Sequence, residues 1–84
     1  MTHELAEVID ARHLGGHRVW VKFDDGLEGE IDLSDVLRGP VFEPLKDPAY
    51  FANFTVDWTL TWPNGADIAP ESLYARVLKA KRSA

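Results

Sequence analysis

The sequence contains no cysteine among its 84 residues. Disulfide bonds, cysteine-ligated zinc sites and thiol catalysis are therefore excluded for this chain. The sequence also lacks an apolar run near the roughly 18 residues that a membrane span needs. At its start, no basic segment precedes an apolar run, as a secretory signal would require. We therefore expect a cytoplasmic protein that does not enter a membrane.

Apolar residues make up 45% of the chain, and aromatic residues make up 11%. This content argues against disorder, which requires low hydrophobicity. A chain of this length forms one domain. We therefore predict a single domain over residues 1–84.

The net charge of −5 is unevenly distributed along the chain. Residues 1–71 hold all 14 acidic residues but five of the nine basic ones, whereas residues 72–84 hold four bases and no acid. An acidic body repels the phosphates of nucleic acid, so we expect no direct nucleic-acid binding. The basic end either complements the dipole of a C-terminal helix, which is the ordinary role of such residues, or contacts an acidic surface.

Alternating apolar and polar residues in the first third of the chain predict an antiparallel meander. The predicted strands run near Leu5–His13, His17–Phe23 and Leu27–Leu33. Such alternation is typical of strands that bury one face. The predicted inner face consists of Ile9, Ala11, Val19, Val21, Phe23, Leu27, Ile31 and Leu33.

The second hairpin of the meander has one loop length that matches both faces. A three-residue loop that ends at Gly26 places Phe23 opposite Leu27. On the other face it places Lys22 opposite Glu28, so that opposite charges meet. A two-residue turn would place Phe23 opposite Glu28 instead. Gly26 then takes the left-handed conformation that three-residue loops need.

The same face matching predicts a three-residue loop over residues 14–16 in the first hairpin. This loop pairs Ala11 with Val19 and Ile9 with Val21. A two-residue turn over the two glycines would place charged side chains opposite these valines.

The middle of the chain predicts short helical turns. Ser34 is expected to cap one turn, which Gly39 and Pro40 end. Asp47, followed by Pro48, is expected to cap another.

A run of alternating residues follows these turns. It forms either one long strand or a tight hairpin near residues 57–59. The apolar residues that share one face of this run are Phe54, Val56, Trp58, Leu60 and Trp62.

The most specific stretch is WPNGADIAPESLY, which runs from Trp62 to Tyr74. Its proline, asparagine and glycine form a turn in which Gly65 is free to adopt positive φ. Pro70 opens a C-terminal helix that runs to about Lys81. We predict that the motif is structural, and its residues are Trp62, Pro63, Asn64, Gly65, Asp67, Pro70, Glu71, Leu73 and Tyr74.

No spacing in the sequence assembles a catalytic or metal centre. His13 and His17 flank a glycine pair, but no third metal ligand is fixed by their spacing. Asp67 and Glu71 lie four residues apart around a helix start, where capping is the ordinary alternative to an acid/base pair. We therefore predict no catalytic residue, no metal ligand and no cofactor.

Trp20 lies on the charged face of the predicted meander, between Arg18 and Lys22 and opposite Glu30. Either the C-terminal helix covers this ring or the ring contacts a partner. The candidate interaction residues are Trp20, Glu28, Glu30 and Asp32.

The meander sequence VKFDDGLEGEIDL, the phenylalanine-rich short-helix region and WPNGADIAPESLY resemble domain-of-unknown-function family 2442 over about residues 5–78. The resemblance implies an α+β fold with no established activity. Members are similar to the N-terminal domain of a bacterial protein that continues into a helix-turn-helix domain, whereas this sequence ends at Ala84 without that extension. Members are often neighbours of a second small family, in an arrangement similar to toxin–antitoxin pairs.

We therefore predict an α+β fold, in which an antiparallel β-meander with short helical turns packs against one C-terminal helix. The expected function is that of a non-catalytic protein-interaction module, an antitoxin-like or regulatory partner of a small protein encoded nearby. The acidic body favours a basic partner. The alternative is a stand-alone ligand-sensing or transcription-regulatory accessory domain.

Overall fold

Two small antiparallel sheets and a C-terminal helix form the part of the chain that the structure describes. This structure is a computed structural model that describes residues 6–83. The predicted first residue of the meander, Leu5, and the last residue, Ala84, lie outside this range. The arrangement confirms the predicted α+β fold class. Within residues 6–83, no helix combines the length and the apolar character that crossing a membrane requires.

The meander comes first along the chain, and the second sheet follows a region of short helices. The two sheets have the strand orders β1-β2-β3 and β4-β5-β6. They join where the Val8 N–H donates a hydrogen bond to the Trp58 carbonyl at 3.0 Å. The elements are β1 (Val8–Gly15), β2 (Arg18–Phe23), β3 (Glu28–Asp32), 3₁₀ helices at Ser34–Val36 and Pro40–Lys46, α1 (Pro48–Phe51), β4 (Thr55–Val56), β5 (Leu60–Thr61), β6 (Asp67–Ile68) and α2 (Pro70–Ser83).

The register between β2 and β3 confirms the predicted three-residue loop. The Phe23 N–H donates to the Leu27 carbonyl at 2.8 Å, and Lys22 lies opposite Glu28. Gly26 has a φ of 96°, a conformation in which a side chain would be strained.

The register between β1 and β2 differs from the predicted one by two residues. Ala11 lies opposite Val21 rather than Val19, and the turn contains two residues, Gly16 and His17. The predicted loop over residues 14–16 was therefore wrong. Neighbouring glycines at positive φ, 120° at position 15 and 55° at position 16, allow this tighter reversal.

A bulge in β1 changes which of its residues face the core. The pairing is interrupted between Val8 and Asp10, so that Ile9 has no direct partner on β2. Val8 is consequently buried, and Ile9 is 54% exposed. The prediction that Ile9 belongs to the inner face was therefore wrong.

The two predicted caps have different outcomes. The turn that contains Ser34 begins after Leu33, and no side chain caps it. The Ser34 N–H instead donates to Asp32 Oδ1 at 2.8 Å, so the prediction of a serine cap was wrong. Asp47 does cap α1, since its Oδ1 accepts a hydrogen bond from the Ala49 N–H at 3.0 Å.

Residues 54–62 form the hairpin alternative rather than one long strand. Trp58 lies in the turn with a φ of 58°, and its side chain is 50% exposed. Thr59 is fully buried instead, and its hydroxyl donates to the Ile68 carbonyl. Because the turn interrupts the alternation, Val56 and Trp58 do not share the buried face of Leu60 and Trp62.

Trp62 is a central residue of the core, as the alternation predicted. The side chain is 4% exposed. Its ring lies 5.5 Å from that of Phe51, and its Nε1 donates to the Phe51 carbonyl at 2.8 Å. The buried apolar residues are Val8, Val19, Val21, Phe23, Ile31, Leu33, Leu37, Leu45, Phe51, Leu60, Trp62, Ala66, Ile68, Leu73 and Val77.

Helix α2 packs on the inner face of the meander at Gly29. A Cβ atom added to this glycine would lie 3.0 Å from Val77 Cγ1, so the glycine permits the close approach of the helix. Leu73 and Val77 are fully buried. One turn along, the Tyr74 ring meets the Phe23 ring edge-on at 4.9 Å. The opposite face of the meander therefore points away from α2.

We expect the substitution Trp62→Ala to lower the free energy of unfolding by about 3–5 kcal/mol. It removes a buried ring and leaves the Phe51 carbonyl without its donor. The matched control is Trp58→Ala, whose ring is half exposed and whose loss should change stability by less than about 1 kcal/mol. Urea unfolding of both variants checks this, and similar losses for the two would contradict it.

We expect Gly29→Ala to lower stability by about 1 kcal/mol, although this substitution commonly stabilises where the backbone allows it. The added methyl group would press on Val77. In a Val77→Ala background the same change should be neutral or stabilising, because the clash is gone. A double-mutant cycle from thermal melts measures this coupling. The same loss in both backgrounds would argue against close packing at this position.

Candidate functional site

Trp20 lies at the centre of the meander face that points away from α2. Its neighbours in β2, Val19 and Val21, are fully buried on the α2 side, so strand alternation directs Trp20 to the other side. Of the two alternatives for this ring, cover by the C-terminal helix is not the arrangement found. We call this surface the outer face; it consists of Arg12, Leu14, Arg18, Trp20, Lys22, Glu28, Glu30 and Asp32.

Polar contacts hold the Trp20 ring in place on the outer face. Its Nε1 donates to Glu28 Oε1 at 3.1 Å, and the Arg12 guanidinium carbon lies 5.6 Å from the ring centroid. This is the geometry of a cation–π contact. An open depression of about 390 Å³ beside the ring is lined by Arg12, Leu14, Trp20 and Glu30. The ring is therefore held at its Nε1 edge and over one face, and the open depression adjoins it.

Opposite charges lie next to one another on the outer face. Arg18 Nη2 and Glu30 Oε1 form an ion pair at 2.7 Å, with both side chains more than half exposed. Lys22 lies opposite Glu28 on the neighbouring strand. Exposed pairs of this kind contribute little to stability. The fold therefore depends little on these charges.

Asp32 occupies the margin of the outer face. Its carboxylate accepts a hydrogen bond from the Ser34 N–H at 2.8 Å, and this bond lowers the pKa of the Asp32 carboxyl below its usual range. The structure therefore brings Trp20, Glu28 and Glu30 together. It turns the fourth candidate, Asp32, toward the turn that follows β3.

Arg12 and Leu14 also belong to this site, although the sequence did not indicate them. The predicted register of the first hairpin placed Asp10, not Arg12, opposite Trp20. The observed register places Arg12 there. A two-residue turn over the glycine pair would set Arg12 opposite Val19 instead. The observed register needs a turn at Gly16 and His17 and an irregularity between His13 and Gly15, and the alternation carries no signal for either.

The turn of the Trp62–Tyr74 motif is held by Asn64. Its Oδ1 accepts a hydrogen bond from the Ala66 N–H at 3.1 Å, and its Nδ2 donates to the Val41 carbonyl at 2.8 Å. Gly65 follows with a φ of 91°. These contacts join the second sheet to the short-helix region. Of the other motif residues, Pro63, Asp67 and Glu71 are exposed, whereas Pro70 and Leu73 are buried.

Tyr74 connects the motif to the hairpin loop between β2 and β3. Its hydroxyl donates to Asp25 Oδ2 at 2.5 Å. This hydrogen bond stabilises the neutral phenol and raises the pKa of Tyr74 above its usual range. The helix and the loop before β3 are thus tied together at one end of the outer face.

The two histidines of the first hairpin bind main-chain carbonyls. His13 Nε2 lies 2.9 Å from the Gly16 oxygen, and His17 Nε2 lies 2.8 Å from the Leu45 oxygen. A carbonyl accepts, so each Nε2 donates. Among residues 6–83, no three histidine, aspartate or glutamate residues are grouped so that they could hold a metal ion.

Comparison with known proteins gives one match. The family model described as "Protein of unknown function (DUF2442)" matches residues 8–79, a range that includes the whole outer face and most of α2. The match confirms the resemblance seen in the sequence. No curated protein and no solved structure matches the chain.

We expect the protein to lose stability as the pH rises above about 10, the ordinary pKa of tyrosine. Because the folded protein raises the pKa of Tyr74, the contribution of its hydrogen bond is complete below that pH and is lost as the pH rises through the raised pKa. In Tyr74→Phe and in Asp25→Asn this part of the pH dependence should be absent. Thermal melts from about pH 8 to about pH 12 test it, and an unchanged slope in Tyr74→Phe would contradict it.

Proposed function

We propose that the chain, which belongs to the DUF2442 family, is a non-catalytic cytoplasmic module that binds another protein. In this proposal it is the antitoxin-like or regulatory partner of a small basic protein encoded beside it. The observation that carries the proposal is the position of Trp20. An aromatic ring lies at the centre of a sheet face that points away from α2, and Glu28 and Arg12 restrain it.

The surroundings of Trp20 have the composition of a binding hot spot. Tryptophan and arginine are enriched among the residues that dominate interface energies, and a ring of near-neutral contacts around them excludes water. On the outer face, paired charges such as Arg18 and Glu30 provide that ring. The Trp20 side chain is already oriented by Glu28, so binding would restrict little additional side-chain freedom.

The charge of the chain supports a basic partner. Residues 1–71 carry five bases against 14 acids, a net charge of −9. A field of one sign over most of a small protein steers an oppositely charged partner and raises its association rate. The outer face itself is mixed in sign. The negative charge of residues 1–71 therefore attracts the partner, while Trp20 determines where the partner binds.

A ligand-sensing role, the alternative function, has less support from the structure. The depression beside Trp20 is open and is lined by four residues. Sites for small molecules are usually concave enough to bury most of the ligand surface. A flat face around a restrained aromatic ring suits a protein partner better.

The first test is copurification of the chain with the product of the adjacent gene, followed by affinity measurement. We expect Trp20→Ala to weaken the complex by about 2 kcal/mol or more, which is roughly thirtyfold in Kd. Trp58→Ala is the matched control, since it removes a half-exposed tryptophan from a different part of the fold. Absence of a complex would contradict the proposal. Equal effects of the two variants would show that the partner does not bind at the outer face.

A second test uses the rate of association. Reversing the charge of Glu28 or Glu30 should slow association and reduce its dependence on salt, with less effect on dissociation. Asp67→Lys makes the same change of charge in β6, outside the outer face, and serves as the control. If the association rate changes neither with salt concentration nor with charge reversal at positions 28 and 30, electrostatic steering through this face is contradicted.

A further inference from the structure

The outer edge of β3 carries main-chain groups that point away from the sheet. β3 is an edge strand of the order β1-β2-β3. The hairpin closes with the hydrogen-bonded pair of Phe23 and Leu27. Because such pairs alternate in an antiparallel ladder, Gly29 also bonds to β2, whereas the N–H and C=O groups of Glu28 and Glu30 point outward.

These outward groups have no hydrogen-bond partner among the described residues. The main-chain hydrogen bonds outside the regular strands do not include Glu28 or Glu30. At the far end of the strand, Arg76 Nη1 donates to the Asp32 carbonyl at 3.2 Å. The edge is therefore open over a short stretch between the hairpin loop and the contact with α2.

The two sides of this edge differ in chemistry. On the outer face, the exposed carboxylates of Glu28 and Glu30 stand beside it. On the α2 side, a shallow depression lies along the edge, lined by Ile31, Arg76, Lys79 and Ala80 together with Glu30 and Asp32. A strand placed against β3 would alternate its side chains between these two environments.

We infer that the β3 edge binds an extended basic segment of the partner protein, which adds as a further strand to the meander. This inference rests on the proposed function and states how the partner is held. In strand addition the main chain supplies affinity and the alternating side chains supply selectivity. Lys or Arg at every second position would face Glu28 and Glu30, and small β-branched residues between them would face the depression beside Ala80.

The charge of the edge disfavours pairing with the β3 edge of a second copy of this chain. Two β3 edges paired with each other would set the carboxylates of Glu28 and Glu30 against those of the copy. Like charges directly opposite one another destabilise a strand pair. Acidic residues on an open edge thus prevent self-pairing and leave a basic segment as the occupant that fits.

The test follows amide hydrogen exchange of the intact chain by NMR in the presence of a short peptide that alternates Lys and Thr. At saturation, exchange of the Glu28 and Glu30 amides should slow by about tenfold or more. The Gly29 amide, already bonded to β2, should change little. A peptide that alternates Glu and Thr is the control and should not bind. If the basic peptide does not bind, or binds without protecting these two amides, the inference is wrong.

A pair of substitutions at Glu30 separates the main chain from the charge. Glu30→Pro removes the outward N–H, and proline is tolerated where an edge N–H faces solvent. Glu30→Gln keeps the N–H and removes the charge. We expect the proline variant to bind the basic peptide at least about tenfold more weakly than the glutamine variant. Equal binding by the two variants would overturn the inference. Thermal melts establish whether both variants are folded. If the proline variant is unfolded, the hydrogen-exchange experiment on the unaltered chain tests the inference by itself.

The outcomes for this inference and for the proposed function can be told apart. A complex with the adjacent gene product that depends on Trp20 but leaves the Glu28 and Glu30 amides unprotected would support the outer face and overturn strand addition. Failure of that complex to form, with the basic peptide still protecting the two amides, would remove the proposed function and leave an edge that binds basic strands.

Discussion

The close packing of α2 on β3 is the constraint on which the rest of the structure depends. Gly29 has no side chain, so Val77 can approach the strand and fill the inner face. The helix is then held on both sides of this point, by Tyr74 bonding to Asp25 and by Arg76 pairing with Asp35 at 3.0 Å. Arg76 lowers the pKa of the Asp35 carboxyl, as expected for a carboxylate beside a guanidinium. With α2 fixed on one face of the meander, the other face points away from the helix.

The two hairpins of the meander show which registers a sequence can predict. For β2 and β3, the competing turns differ by one residue in loop length. That difference sets apolar against acidic side chains, and so the pattern of faces decides between them. For β1 and β2, the observed and predicted registers differ by two residues, which keeps Ala11 on the same side as Val21. The alternation of apolar and polar residues cannot distinguish two registers that differ by two residues, because both keep the same side chains on the same face. The backbone freedom of adjacent glycines decides, and the bulge that exposes Ile9 leaves no mark in the alternation.

The residues of the candidate site could be predicted only where the register of their strands could be predicted. Alternation placed Trp20, Glu28 and Glu30 on one face because they lie on the two strands whose register was determined. Arg12 depended on the register of the first hairpin and was missed. Asp32 lies on the predicted face, but its carboxylate bonds to the Ser34 N–H, since short acidic side chains compete for nearby main-chain donors in turns. At Trp58 a turn interrupts the alternation of residues 54–62, although the pattern of apolar and polar residues continues through it.

The outer face and the β3 edge meet at Glu28 and Glu30, which present side chains to one and main-chain groups to the other. Their carboxylates are already engaged on the side of β2, by the Trp20 indole and by Arg18. An ionised carboxylate accepts about four hydrogen bonds, so these contacts leave capacity for a cation approaching from the edge. The existing contacts also orient the carboxylates before a partner arrives, which reduces the ordering that binding requires. In the strand addition that we infer, the residues that restrain Trp20 and balance the charge of the outer face would also select the basic strand at the edge.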